Sequence, residues 1–150
     1  MTFDIRSALL FAGRCLYAPL FVLSGVRKLT FPDQIIGAIS KTGLPLPLLG
    51  YWGSTALETV GLVLFVAGLR TRALATILFV YSLVTAFVFH THLGQPDQMN
   101  NFLKNLSIAG GFLVIAAVGG GAWSLDNAIE TFRSRRTSSP GVATASVAQP

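Results

Sequence analysis

Four apolar runs, each long enough to cross a bilayer as a helix, dominate this chain of 150 residues. They lie at about 8–29, 51–69, 72–90 and 102–123. A spanning helix rises about 1.5 Å per residue and needs roughly 20 mostly apolar residues. Inside a bilayer no water satisfies the backbone, so a lone segment crosses as a helix, which closes its own hydrogen bonds. The expected fold is all-α, an integral membrane four-helix bundle formed by residues 1–132. Charge content agrees: 11% of residues are charged, against about 25% in a soluble domain.

The connections divide the runs into pairs. Only Arg70, Thr71 and Arg72 separate the second from the third, which demands an antiparallel hairpin. The segment 30–50 holds Pro32, Pro45 and Pro47 and is expected to pack, partly ordered, over the bundle mouth. Segment 91–101 carries Pro96, Asp97 and two asparagines. Beyond Phe132 the Ser/Pro/Ala-rich stretch lacks apolar periodicity, so 133–150 reads as a disordered cytoplasmic tail. Basic residues near span ends set orientation. Arg6, Arg70, Arg72, Arg133, Arg135 and Arg136 outnumber Arg27, Lys28, Lys41 and Lys104 on the other side. Both termini are therefore expected inside the cell.

Several function classes are disfavoured. The net charge of +5 lies between apolar runs and after the last one, so membrane lipids rather than nucleic acid are the expected partners. Cys15 is the sole cysteine, which excludes an intrachain disulfide and a CxxC redox pair. Asp4 and Arg6 precede a long apolar run with no early small-residue cleavage site, unlike a cleavable signal peptide.

Ionisable groups within spanning helices cost roughly 2.5–3.5 kcal/mol each at a helix centre. Arg14, Tyr17, Phe21, Ser24 and Lys28 share one stripe of the first helix with Gly25. Leu9, Leu16, Leu20 and Leu23 form its lipid face. Glu58 shares a face of the second helix with Gly61, Phe65 and Gly68, small residues that admit a neighbouring helix. Helical rise alone puts Glu58 ~10 Å along the axis from both Arg14 and Lys28, so either could pair with it. Such a pair can also do no more than fix helix register.

His90 closes the third run, and Lys104 with Asn105 opens the fourth. His90 and His92 lie on one segment, which does not suit a bis-histidine haem. His90, His92 and Glu58 lack a strong zinc spacing, so no metal site is assigned. Gly110, Gly111, Gly119, Gly120 and Gly121 suit close helix packing better than a phosphate loop, because no strand precedes them and no Lys-Ser/Thr follows. Tyr51, Trp52 and Trp123 stand at span ends as interfacial belt residues.

The chain resembles the DoxX family of small bacterial membrane proteins. The resemblance rests on Gly13-Arg14, Phe21 to Lys28, Glu58-Thr59-Val60-Gly61 and Gly68-Leu69-Arg70-Thr71-Arg72. It continues through Phe89-His90, Phe102 to Leu106, Gly110-Gly111 and Trp123-Ser124-Leu125-Asp126. It marks Arg14, Lys28, Glu58, His90, Lys104 and Asn105, and it implies a protein of the bacterial inner membrane linked to redox systems. The leading expectation is a membrane component of a quinone-linked oxidoreductase system, with no evident redox cofactor of its own. A polar intramembrane cavity would bind a quinone through Arg14, Lys28, His90, Lys104 and Asn105. Tyr17, Phe21 and Phe65 would pack on the ring, Ser24 would line the site, and Glu58 would carry a proton. Expected partners are a soluble or membrane redox protein and a second copy of the chain. The rival expectation is a non-catalytic lipid-binding or scaffold protein, anchoring a soluble partner through Arg133, Arg135 and Arg136.

Overall fold

Among the described residues, four helices are long and apolar enough to span a membrane: Ile5–Thr30, Pro47–Ala67, Thr71–Phe89 and Pro96–Val118. They belong to a computed structural model that describes residues 4–137. The first spanning helix, α1 (Ile5–Thr30), is followed by a short helix α2 (Pro32–Lys41). The second span consists of α3 (Pro47–Ala56), a π-helical turn (Leu57–Gly61) and α4 (Leu62–Ala67). The third and fourth spans are α5 (Thr71–Phe89) and α6 (Pro96–Val118), and α7 (Leu125–Thr137) closes the described chain. The protein is an all-α membrane helical bundle.

Local chemistry explains the boundaries. Prolines at the first helical position start α2, α3 and α6, where a missing N–H is harmless. This shifts two spans from their expected limits. The second starts at Pro47 rather than Tyr51, and the fourth starts at Pro96 rather than Phe102. Gly68, at φ 76°, ends α4 in the left-handed region. Gly119 (φ 83°) and Gly121 (φ 72°) stop the fourth helix short of Trp123. Those glycines therefore form a turn and are not part of the helix. The Arg70 hairpin is present, with Arg70 itself at φ 51°.

The lipid face of α1 is as expected: Leu9, Leu16, Leu20 and Leu23 are exposed, while Arg14, Phe21, Gly25 and Lys28 face inward. Gly25 lets α1 approach the π turn, for a Cβ there would stand 3.0 Å from the Thr59 methyl. The core is built from Phe21, Leu62, Phe65, Ala75, Leu78, Phe112 and Ile115. Segment 30–50 contains an ordered helix: α2 packs on α3, burying Ile39 while Asp33, Gln34 and Lys41 stay exposed. Residues 133–137 continue α7, correcting the expectation that the ordered chain stops at Phe132; 138–150 lie outside the described residues.

Candidate functional site

The π turn carries the central residue. A π turn admits one residue more than an α turn, rotating the side chains that follow, and such turns recur at functional sites. Here Glu58 is on the turn and buried. Its Oε1 lies 2.9 Å from Lys28 Nζ on α1 and accepts a hydrogen bond from the Tyr81 hydroxyl on α5. Lys28 Nζ also donates to the Tyr81 hydroxyl at 3.0 Å. Three spanning segments thus meet in a closed triangle. Glu58 pairs with Lys28, and Arg14 has no part in it.

The triangle stands against a cavity of about 490 Å³. Helix α2 covers one side with Ile35, Ala38 and Ile39, and α5 supplies Val84, Thr85 and Phe89. The walls are mostly apolar, which corrects the expectation of a polar cavity. The polar groups gather at Ser24, Lys28, Glu58 and Tyr81, with Ser54 and His90 nearby. Oε2 of Glu58 is buried and has no hydrogen-bond partner among the described residues. That is a costly state for a charged oxygen and marks a place where a further donor fits.

The expected site residues separate into groups. Ser24, Lys28, Glu58 and His90 line the cavity; the His90 ring is held by Gln98 at 2.9 Å. Tyr17 and Phe21 belong to the hydrophobic core instead. Tyr17 stacks on Phe112 with ring centres 4.2 Å apart, and Phe21 meets the same ring edge-on at 5.8 Å. Lys104 is exposed and donates to the Asn101 side chain at 3.1 Å, while Asn105 bonds the Asn101 carbonyl at 2.9 Å. Neither lines the cavity. Two residues were missed. Tyr81 was hidden in an apolar run, where only its hydroxyl signalled a polar partner. Tyr51 is not interfacial: it is 3% exposed, and its hydroxyl donates to the Lys28 carbonyl at 3.1 Å.

Arg14 serves the opposite end of the bundle. Fully buried, its guanidinium donates to the carbonyls of Val66 at 3.3 Å, Trp123 at 2.5 Å and Gly120. A planar fork suits several acceptors at once, here the carbonyls exposed where α4 and α6 end. Asp126 completes the knot, its two carboxylate oxygens accepting the Arg70 and Thr71 amides at 2.7 and 2.8 Å. Burial works against its charged form, but these hydrogen bonds and the Arg70 charge outweigh it and hold the carboxyl below its ordinary value. Gly120 must be small, since a Cβ there would stand 2.7 Å from both Ser124 and Thr71 and 3.1 Å from Arg14.

The DoxX family model matches residues 9–91, which hold three legs of this arrangement: α1, the π turn and α5. The chain belongs to the DoxX family. It is 34% identical over 126 residues to the inner membrane protein YphA of Escherichia coli, covering 81% of this chain and 90% of that one. It is 35% identical over 117 residues to the inner membrane protein YqjF of the same organism, covering 76% and 86%. No solved structure matches. This DoxX chain is a multi-pass protein of the bacterial inner membrane. The stretches that carry the resemblance have distinct places: Lys28 and Glu58 build the cavity cluster, whereas Gly68 to Arg72 and Trp123 to Asp126 tie off the other end.

Proposed function

We propose that this protein is the membrane component of a quinone-linked oxidoreductase system and holds the quinone ring in the cavity beneath α2. The observation that carries the reading is the Lys28–Glu58–Tyr81 triangle against a mostly apolar chamber reached from lipid-spanning helices. Apolar walls with a few placed polar groups are the usual make-up of a small-molecule site. A bound quinone would supply the electron-carrying chemistry that this chain's side chains lack. Lys28 retains an N–H to orient a ring oxygen, and Glu58, with one oxygen unpartnered, is placed to hold a proton. His90 sits at the cavity's polar margin beside Gln98. A redox partner would exchange electrons with the held ring. Titration of purified, folded protein in lipid nanodiscs with a short-chain benzoquinone tests the reading. Saturable binding that weakens about ten-fold in the folded fraction of Lys28→Met, which loses the N–H that orients the ring oxygen, supports it; no saturable binding removes it.

We propose also that both termini lie in the cytoplasm. The basic residues are more numerous at the end formed by Arg6, Arg70, Arg72 and α7, which supports that orientation.

A second reading, as a scaffold for a soluble protein, has one observation in its favour. Helix α7 buries no residue and presents Arg133, Arg135 and Arg136 to solvent. Partner capture lost in a triple Arg→Ala variant, with quinone binding absent throughout, would favour it.

A further inference from the structure

The hydrogen-bonding capacity left over in the triangle discriminates between ligands. Tyr81 has one hydroxyl proton, and it goes to Glu58 Oε1. Lys28 has three, of which one reaches Glu58 Oε1 and one the Tyr81 oxygen. Oε1 therefore takes two donors while Oε2 takes none, although Glu58 is only 4% exposed. What remains for a ligand is one ammonium N–H and one carboxylate oxygen. The terminal torsion of a glutamate is broad, so either oxygen of Glu58 can turn to the cavity it lines.

A carbonyl oxygen matches half of this. It accepts the Lys28 proton, but its lone pairs then face the carboxylate, and Glu58 stays unsatisfied. A phenolic hydroxyl matches both, because its O–H donates to Glu58 and its oxygen accepts from Lys28. We propose that the cavity selects a hydroxyl-bearing aromatic lipophile, so that the reduced quinol binds in preference to the quinone. This inference rests on the quinone reading above and assigns the redox form of the ligand. The apolar walls from α2 and α5 hold the ring without regard to its redox state, so selection falls to Glu58.

The experiment compares three probes on the full-length protein in nanodiscs under anaerobic conditions: a short-chain benzoquinone, its quinol, and the quinol's dimethyl ether. The quinol should bind at least ten-fold more tightly than the quinone, and the ether, which cannot donate, should fall to the quinone's level or below. In Glu58→Gln, whose amide can donate to a carbonyl, the preference should vanish. Should that variant fail to fold, the three probes on the wild-type protein still decide. Equal or tighter binding of the quinone overturns the inference and leaves the quinone reading intact; a buried water satisfying Oε2 would give that result. Saturable binding of none of the three overturns the quinone reading, and this inference with it.

Discussion

Lys28 Nζ and Glu58 Oε1 meet at 2.9 Å, with both side chains at least nine-tenths buried. Separating two such charges from water is expensive, and their attraction repays the cost only when further hydrogen bonds complete the site. Tyr81 supplies part of that completion, and Oε2 shows that it is not finished. Glu58→Gln should leave Lys28 uncompensated and lower stability by about 3–5 kcal/mol. Adding Lys28→Met should recover part of the loss. Thermal unfolding of the double-mutant cycle measures the coupling; a cycle with Arg14 in place of Lys28 should show about 0.5 kcal/mol or less.

Arg14 is expected to matter for folding and not for ligand binding. Arg14→Lys keeps the charge but loses the fork that reaches the Val66, Gly120 and Trp123 carbonyls. At about 1–3 kcal/mol for each buried group left unpaired, the variant should unfold well below the wild type. Quinone affinity of the folded fraction should be unchanged, because Arg14 does not line the cavity. A parallel loss of affinity would return Arg14 to the ligand site.

The spanning pattern was legible because apolar length is a property of sequence alone. So was the inward stripe of α1, since Arg14, Phe21, Gly25 and Lys28 repeat at helical spacing. Which of those residues line the cavity was not legible. Arg14 and Lys28 look equivalent relative to Glu58 when only axial rise is counted. The partners each finds separate them: Arg14 reaches the Val66, Gly120 and Trp123 carbonyls and Lys28 reaches Glu58 and Tyr81, and spacing along the chain shows neither. Tyr81 escaped notice because a tyrosine in an apolar run is ordinary until its hydroxyl acquires two charged neighbours. Lys104 misled in the other direction: its place near the start of the fourth run does not show that its side chain is exposed and engaged by Asn101 on its own helix.

Asp126 gives the bundle a pH dependence of known sign. Its folded pKa lies below the ordinary 3.8, so the stability it lends is complete above that value and fades as pH falls through the folded pKa. Asp126→Asn should cost about 1.5–3 kcal/mol at neutral pH, the range for a hydrogen bond to a charged group. The gap between wild type and variant should narrow only below about pH 4. A gap that closes near pH 6 would point to a different titrating group.

Cysteine accessibility tests the orientation. In a Cys15→Ser background, Lys41→Cys and Gln98→Cys should react with a membrane-impermeant thiol reagent in intact cells. Arg72→Cys and Arg133→Cys, exposed at the opposite end, should react only after permeabilisation. The reverse pattern would put the cavity end in the cytoplasm.

His90 and Lys104 should behave differently. His90 lines the cavity and is held by Gln98 on the first turns of α6. His90→Phe removes a polar group from the cavity margin and frees the Gln98 side chain, so quinone affinity should fall by about ten-fold, the worth of one hydrogen bond to a charged or well-placed group. Lys104 looks as suitable by sequence, yet its ammonium is exposed and engaged by Asn101 on its own helix. A surface contact of that kind contributes little, so Lys104→Met should leave both affinity and unfolding temperature near wild type. Titrating both variants with the same quinone in the same nanodiscs makes the comparison internal. A large loss for Lys104→Met with none for His90→Phe would move the binding site from the α2 side of the bundle to the exposed face of α6.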